Sequence, residues 1–289
     1  MAGDPAHPTI LVVVDDGAGV PDAVRWAARE AAHRGGVVRL VPATRRLLGR
    51  SRTAPVLAGA VRTATAVAPD VPVELSGADA ATRSRSQLAA ESAAADLLVV
   101  GGREWGRVRS LSAGPARRAA RCPVVVVPPA CGVPDPTLPV VVGVDGTSAS
   151  TAAVDFAFAA AAGRGVAVVA VHTWWDRIAD GEVEDQGDWA RVADEERAAL
   201  DEHLARPAAA NPAVVVHRIS RASFATGALI ELSRRAQLVV IGSHHHGRLG
   251  AHLVDSAGRA LVRAAASPVV IAPVTAPVPA RAVGGGRRG

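Results

Sequence analysis

The amino-acid sequence contains one domain-sized pattern twice. In the first copy, the segments ILVVVDDG, VRWAAREAAHRGG, DLLVVGG and CPVVVVP follow one another. The corresponding segments of the second copy are VVVGVDGT, VDFAFAAAAGRG, QLVVIGS and SPVVIAP. This unit is far longer than the roughly 20 to 50 residues of a solenoid repeat, so it indicates two copies of one domain. We predict domains over residues 9–129 and 139–273, a linker over 130–138 and a disordered basic tail over 274–289.

Apolar runs without polar alternation indicate strands that are buried on both faces. Six runs have this pattern: 10–14, 97–100, 124–127, 140–144, 238–241 and 269–271. Proline and glycine positions predict helices between them, at Pro21–Arg34, Pro55–Ala68 and Gly187–Arg206, the last of which ends before Pro207. Alternating strands and helices predict the α/β class, with two tandem doubly wound domains that carry helices on both faces of a parallel sheet.

Composition limits the classes of function. The chain is 49% hydrophobic but has no apolar run of membrane-spanning length, and its first eight residues carry no basic cluster. We therefore predict a cytoplasmic location and no membrane partner. Cys122 and Cys131 are too few for a disulfide framework and lack metal-ligand spacing. The net charge of +5 comes from arginine without lysine and forms no basic stripe with aromatics, which weighs against nucleic acid as a partner.

The candidate ligand site lies where the strand order of each sheet reverses. Neighbouring loops part beyond the carboxyl ends of the strands at this point and leave a crevice. The first strand of each copy ends at Asp15 or Asp145, and a later buried strand ends at Gly101 or Gly242. A glycine-lined loop before a helix N-terminus presents backbone N–H groups to an anion, so the sequence predicts a phosphate ligand.

These segments resemble the universal stress protein family in its tandem form. The resemblance covers nearly all of residues 9–273, and its marks are VGVDGTSAS, VVAVHTWW, QLVVIGSHHHGRLG and SPVVIAP in this order. It implies two five-stranded parallel sheets with strand order 3-2-1-4-5, in which strands one and four flank the crevice. It also implies that the final strands of the two domains pair within one chain, and it leaves a homo-oligomer open.

Some members of this family bind ATP through the loop pattern G-x2-G-x9-G-[ST]. In the second domain Gly242 and Ser256 fit the first and last positions, whereas His245 and Asp255 replace the inner glycines. A side chain at a loop glycine costs on the order of 1 kcal/mol. We expect the Asp255 carboxylate to cap the helix start and oppose phosphate, and a protonated His245 to favour it.

The resemblance implies a nucleotide site in the second domain, with Mg²⁺ as a companion of ATP or another adenine nucleotide. Asp145 and the main chain near Val171 would contact the adenosine portion, and Gly242, His245 and Ser256 would face the phosphates. The positions that match are Asp145, Gly146, Val171, Ile241, Gly242, Ser243, His245, Asp255 and Ser256.

The first domain is predicted to be a degenerate copy that serves as a scaffold. The segment that holds its loop and the following helix spans 22 positions from Gly101 to Pro123, whereas the second domain has 26 from Gly242 to Pro268, and Glu104 replaces a glycine of the loop motif. If this deficit lies in the loop, Ser110 and Leu111 take the final motif positions, and otherwise Gly114 and Pro115 do. The matching site positions are Asp15, Val41, Gly101 and Gly114.

The sequence carries no recognised catalytic or metal signature. The run His244–His246 and nearby His252 lack a metal-ligand spacing, so no metal site is predicted. The chain has no Walker loop and no G-x-S-x-G elbow, and no base is assigned to Ser148 or Ser256, which predicts a protein that is not an enzyme. Two functions remain: a stress-response module that binds an adenine nucleotide in its second domain, or an interaction protein with two degenerate sites.

Overall fold

The structure is a computed structural model that describes residues 7–43, 50–76, 90–102, 122–175, 178, 186–243 and 251–273. Within these ranges the side chains are described except at 50–52, 148–149, 186–187 and 251–257. We call residues 7–129 the first half and residues 137–273 the second half.

Strands and helices alternate in both halves. The first half contains β1 (Thr9–Val14), α1 (Val20–Arg34), β2 (Val37–Pro42), α2 (Arg50–Val67), β3 (Val73–Leu75), β4 (Leu97–Gly101) and β5 (Val124–Val127). The second half contains β6 (Val140–Val144), α3 (Ser148–Arg164), β7 (Val168–Thr173), α4 (Gln186–Ala210), β8 (Val216–Arg221), α5 (Ala225–Ser233), β9 (Leu238–Gly242), α6 (Ala251–Ala264) and β10 (Val269–Ala272). The predicted α/β class is confirmed.

These strands form one continuous sheet in the order β3-β2-β1-β4-β5-β10-β9-β6-β7-β8. Neighbouring strands within each half are parallel. Counted from its own first strand, each half therefore has the order 3-2-1-4-5. Strands β5 and β10 join the halves as an antiparallel pair in which Val125 lies opposite Val270.

The central strands of the sheet are buried on both faces, whereas the edge strands β3 and β8 are partly exposed. In β1, Ile10 and Val12 belong to one core cluster and Leu11 and Val13 to the other. Side chains of α1 to α4 pack in the first cluster, and those of α5 and α6 pack in the second. Because both faces of the central strands are covered, these strands need apolar residues at nearly every position, which explains the continuous valine-rich runs.

Glycine ends two equivalent helices, whereas the helix bounds that were predicted from proline are wrong in two others. Helices α1 and α3 stop at Gly35 and Gly165, which have φ angles of 63° and 65°. The predicted start of α2 and the predicted end of α4 are wrong: α2 begins at Arg50, and α4 continues through Pro207 to Ala210. A proline near a helix end removes only one helical hydrogen bond, so packing of the remaining turns outweighs it. None of the helices in the described part of the chain is long and apolar enough to cross a membrane.

Candidate functional site

The ends of β6 and β9 lie side by side at the point where the strand order of the second half reverses. Strand β6 pairs with β7 on one side and with β9 on the other. Asp145 follows β6 and is exposed, while Ile241 and Gly242 end β9 and Ser243 follows it. Because the two strands are parallel, these predicted site residues leave the sheet at the same edge.

The Asp145 carboxylate is oriented by a tight turn. Its Oδ1 accepts hydrogen bonds from the Thr147 backbone N–H at 3.0 Å and from the Thr147 hydroxyl at 2.7 Å. Gly146 has a φ of 78°, a conformation that favours glycine. Thr147 also caps α3, since its side-chain oxygen accepts from the Ser150 N–H at 3.4 Å. The turn therefore holds an exposed carboxylate in a defined direction at the edge of the sheet.

Ser243 places a hydroxyl beside this turn, at the end of the neighbouring strand. Its backbone N–H donates to the Ala272 carbonyl at 2.9 Å, which anchors the residue to β10. Its Oγ is buried and has no hydrogen-bond partner among the described residues. An unpaired buried hydroxyl costs about 1–3 kcal/mol, so a polar ligand atom that bonded to it would be favoured.

Val171 has a different environment from the polar site residues. Its side chain is 3% exposed and lies in the core cluster that also contains Leu229 of α5. The side chain therefore packs in the core, which leaves the main chain as the part that the resemblance assigns to ligand contact.

His172 is a residue next to the site that the sequence analysis missed. Its Nδ1–H donates to the Val144 carbonyl at 2.8 Å, and its Nε2 lies 2.5 Å from Oε2 of Glu196 on α4. Both side chains are 12% exposed. The pair ties α4 to the residue that directly precedes Asp145. A titratable residue in the strand VVAVHT, whose first four residues are apolar, was the signal that could have identified it.

Aromatic side chains occupy the region after β7. Trp174 is 3% exposed and packs edge-on against Trp189 of α4, with ring centroids 5.3 Å apart. Trp175 and Phe224 are 40% and 67% exposed, and their ring centroids are 5.0 Å apart. The first pair fastens α4, whereas the second forms an aromatic surface open to solvent.

The equivalent carboxylate of the first half is buried. Asp15 is 2% exposed, and its Oδ1 accepts the Gly17 N–H at 2.7 Å. Val41 is fully buried, and Gly101 ends the buried strand β4. Gly114 lies outside the described residues, as do Glu104, Ser110, Leu111 and Pro115. The aspartate that follows the first strand is therefore exposed in the second half, at Asp145, and buried in the first half, at Asp15.

Part of the predicted phosphate loop lies outside the described residues, including His245 and the whole run His244–His246. Helix α6 begins at Ala251, so Asp255 and Ser256 lie in its second turn. The expectation that Asp255 stands at the helix start is therefore wrong: the helix extends four residues further towards its N-terminus, and the Asp255 N–H falls within the intrahelical bonding pattern. Among the described residues there is no cluster of His, Cys, Asp and Glu suited to a metal ion.

Comparison with known proteins places this architecture in a family. Residues 137–273 match the profile of the Universal stress protein family. A universal stress protein of Mycolicibacterium smegmatis is 33% identical over 285 residues, which cover 91% of this chain and 96% of that protein. One from Mycobacterium tuberculosis is 32% identical over 289 residues, which cover 91% and 95%. The crystal structure of a universal stress protein from Archaeoglobus fulgidus shares the fold, with a TM-score of 0.63, 15% identity and coverage of 92% and 96%. The chain belongs to the universal stress protein family.

Proposed function

We propose that this protein is a stress-response module that binds ATP or another adenine nucleotide, together with Mg²⁺, in the crevice of its second half. The observation that carries this proposal is the exposed Asp145 carboxylate, which its turn orients at the edge where β6 and β9 end. The buried Asp15 gives the first half no equivalent group, so we assign that half a structural role.

The described residues suit the parts of a nucleoside. Asp145 is a hydrogen-bond acceptor in a fixed orientation, which matches the hydroxyl donors of a ribose. The buried Ser243 hydroxyl, without a partner among the described residues, suits a second polar group of the ligand. Gly242 adds no side chain at the end of β9, so a phosphate has room to approach the backbone. Mg²⁺ would be held mainly by phosphates and water, because this ion keeps several waters and needs few protein ligands.

The proposed activity is binding and not catalysis. The described hydroxyls near Asp145 are those of Thr147 and Ser150. Both make hydrogen bonds at the start of α3. The Thr147 hydroxyl closes the turn by donating to Asp145, and the Ser150 hydroxyl donates to the Thr147 carbonyl, so both groups serve the start of α3.

Calorimetric titration of the intact chain with Mg²⁺ and ATP tests the proposal. Asp145→Ala should weaken binding by about 10- to 100-fold, since a hydrogen bond to a charged group contributes about 1.5–3 kcal/mol. Asp135→Ala is a matched control, because Asp135 in the linker accepts the same two hydrogen bonds from Thr137, at 2.8 and 2.7 Å. An absence of heat at millimolar ATP would reject the nucleotide site.

The exposed aromatic pair favours a second candidate function, that of an interaction protein with two inactive crevices. Trp175 and Phe224 lie together at the surface, and exposed aromatic clusters are typical of protein-binding sites. This function predicts that Trp175→Ala abolishes a stable complex of this chain with a protein partner, while titration with ATP produces no heat. Unchanged complexes in that variant, together with saturable ATP binding, would instead select the nucleotide module.

A further inference from the structure

Helices α1 and α3 occupy equivalent positions in the two halves and contact each other. Each ends in an arginine followed by a left-handed glycine, at Arg34 in α1 and at Arg164 in α3. One turn before these arginines the two helices differ. Helix α1 carries Glu30, which is 4% exposed, whereas α3 carries Ala160, which is 5% exposed. The two contacting helices therefore share the arginine but not the acid.

The single carboxylate binds both arginines. Within α1, Glu30 Oε1 accepts from Arg34 Nε at 2.6 Å, and Glu30 Oε2 accepts from Arg164 Nη2 across to α3. The side chains of Glu30, Arg34 and Arg164 are 5%, 15% and 11% exposed. The Arg34 guanidinium also lies 5.8 Å from the ring centre of Phe156 on α3. The network thus connects the two halves through α1, which contacts β5, and α3, which contacts β10.

Removing the acid would leave two buried guanidinium groups close together. Burial lowers the pKa of Arg164, the charge of Glu30 opposes that change, and the charge of Arg34 lowers the pKa further. Guanidinium groups nevertheless stay charged in proteins. A buried ion network loses far more when one partner is removed than an exposed pair does, since the remaining charges have no compensation.

We propose that Glu30 makes this surface selective, so that the α3 face of a second half accepts the α1 face of a first half and rejects a second copy of itself. Two α3 faces would bring together two copies of Arg164 and two of Ala160, without an acid. The first half of the same chain is the partner, because the short linker between the halves keeps its effective concentration high. Repulsion in the wrong pair is a general source of specificity between similar surfaces.

The surface offers a second place for the acid. Arg34 reaches Phe156, which lies one turn before Ala160 on α3. A carboxylate at position 160 would therefore be close to both arginines, from the other side of the contact. Glu30→Ala combined with Ala160→Glu keeps one acid and two arginines and only exchanges the half that carries the acid.

Amide hydrogen exchange on the intact chain tests the proposal. Glu30→Ala gives the α1 face the same two residues as the α3 face, so this variant reproduces the rejected pairing inside one chain. It should speed exchange of the β5 and β10 amides at least tenfold, more than in β2 or β7. Adding Ala160→Glu should bring those rates back to within about threefold of wild type. Glu74→Ala is the control, since it removes the exposed Arg39–Glu74 pair within the first half and should leave β5 and β10 unchanged.

Two results would overturn the proposal. One is a Glu30→Ala chain whose β5 and β10 amides exchange at the wild-type rate. The other is a double variant that exchanges no more slowly than Glu30→Ala, because this would show that the local shape of Glu30 matters and not the charge balance. If Glu30→Ala fails to fold, Glu30→Gln keeps the size of the side chain, and the same comparison is made with Glu30→Gln and Glu30→Gln/Ala160→Glu.

Discussion

Replacement of Gly146 by alanine is a sharp test of the Asp145 turn. Its φ of 78° lies in the left-handed region, where a non-glycine residue costs about 1–2 kcal/mol. The lower entropy of the unfolded alanine chain offsets about 0.4–1 kcal/mol of this cost. The added methyl would meet only the Cε1 atom of His203 at 3.8 Å, an ordinary contact, so no clash contributes. We expect a net loss of about 1 kcal/mol in the free energy of unfolding.

Gly165→Ala is the matched control for this change. Gly165 has a φ of 65° and no atom within 4 Å of an added Cβ, and it ends α3 at the end opposite the Asp145 turn. Urea unfolding should show a similar loss of stability in both variants. Calorimetry should show a weaker affinity for ATP only in Gly146→Ala, by about tenfold, because a shifted turn moves the Asp145 carboxylate.

Either of two results would refute this reasoning. If Gly146→Ala is as stable as wild type while Gly165→Ala is not, the Gly146 turn is not strained by a side chain. If both variants bind ATP with wild-type affinity, the geometry of the Asp145 turn does not determine binding.

Three further predictions concern other groups. Burial raises the pKa of Glu30, but the attraction of its two arginines outweighs burial and lowers the pKa. The stabilisation by Glu30 should therefore be complete above the unfolded pKa of about 4.3 and be lost as the pH falls further. Urea unfolding from pH 7 to 3 checks this, and the free energy of unfolding of Glu30→Gln should depend less on pH. His172→Ala should cost about 1–3 kcal/mol, because Glu196 loses its hydrogen bond to His172, and Glu196→Ala in the same chain should recover part of that loss. Burial raises the pKa of Cys122 to about 12, so at pH 8 iodoacetamide should label the partly exposed Cys131 first, and equal rates in mass spectrometry would contradict this.

The sequence predicted the parts of the fold that depend on local patterns. Strands β5 and β6 have their predicted bounds, because valine runs between turn residues suit a strand buried on both faces. Glycine at Gly35 identified the end of α1 through its left-handed conformation. The predicted start of α2 is wrong because proline is only favoured in a first helical turn and does not require one. The packing of Ala60 and Ala64 stabilises a helix that begins earlier.

The site depends on contacts that no local pattern contains. Asp15 and Asp145 hold the same place in the repeat, yet one is buried and the other exposed, because the chain after each strand folds differently. His172 could be noticed as a polar residue in an apolar strand, but its partner Glu196 is 24 positions away. Glu30 and Arg164 are separated by 134 positions, so only the folded chain brings them together.

The antiparallel pairing of β5 with β10 determines the directions in which the two crevices open. Because the strands within each half are parallel, the carboxyl ends of the first half and those of the second half lie at opposite edges of the sheet. A five-residue strand is about 17 Å long, so the two edges are separated by at least the length of a strand. One nucleotide therefore cannot bridge the two crevices. A protein partner that senses a ligand in the second half must approach from the side facing away from the first-half crevice, and communication between the crevices has to pass through the contacts that join the halves, which are the central strand pair and the α1–α3 contact.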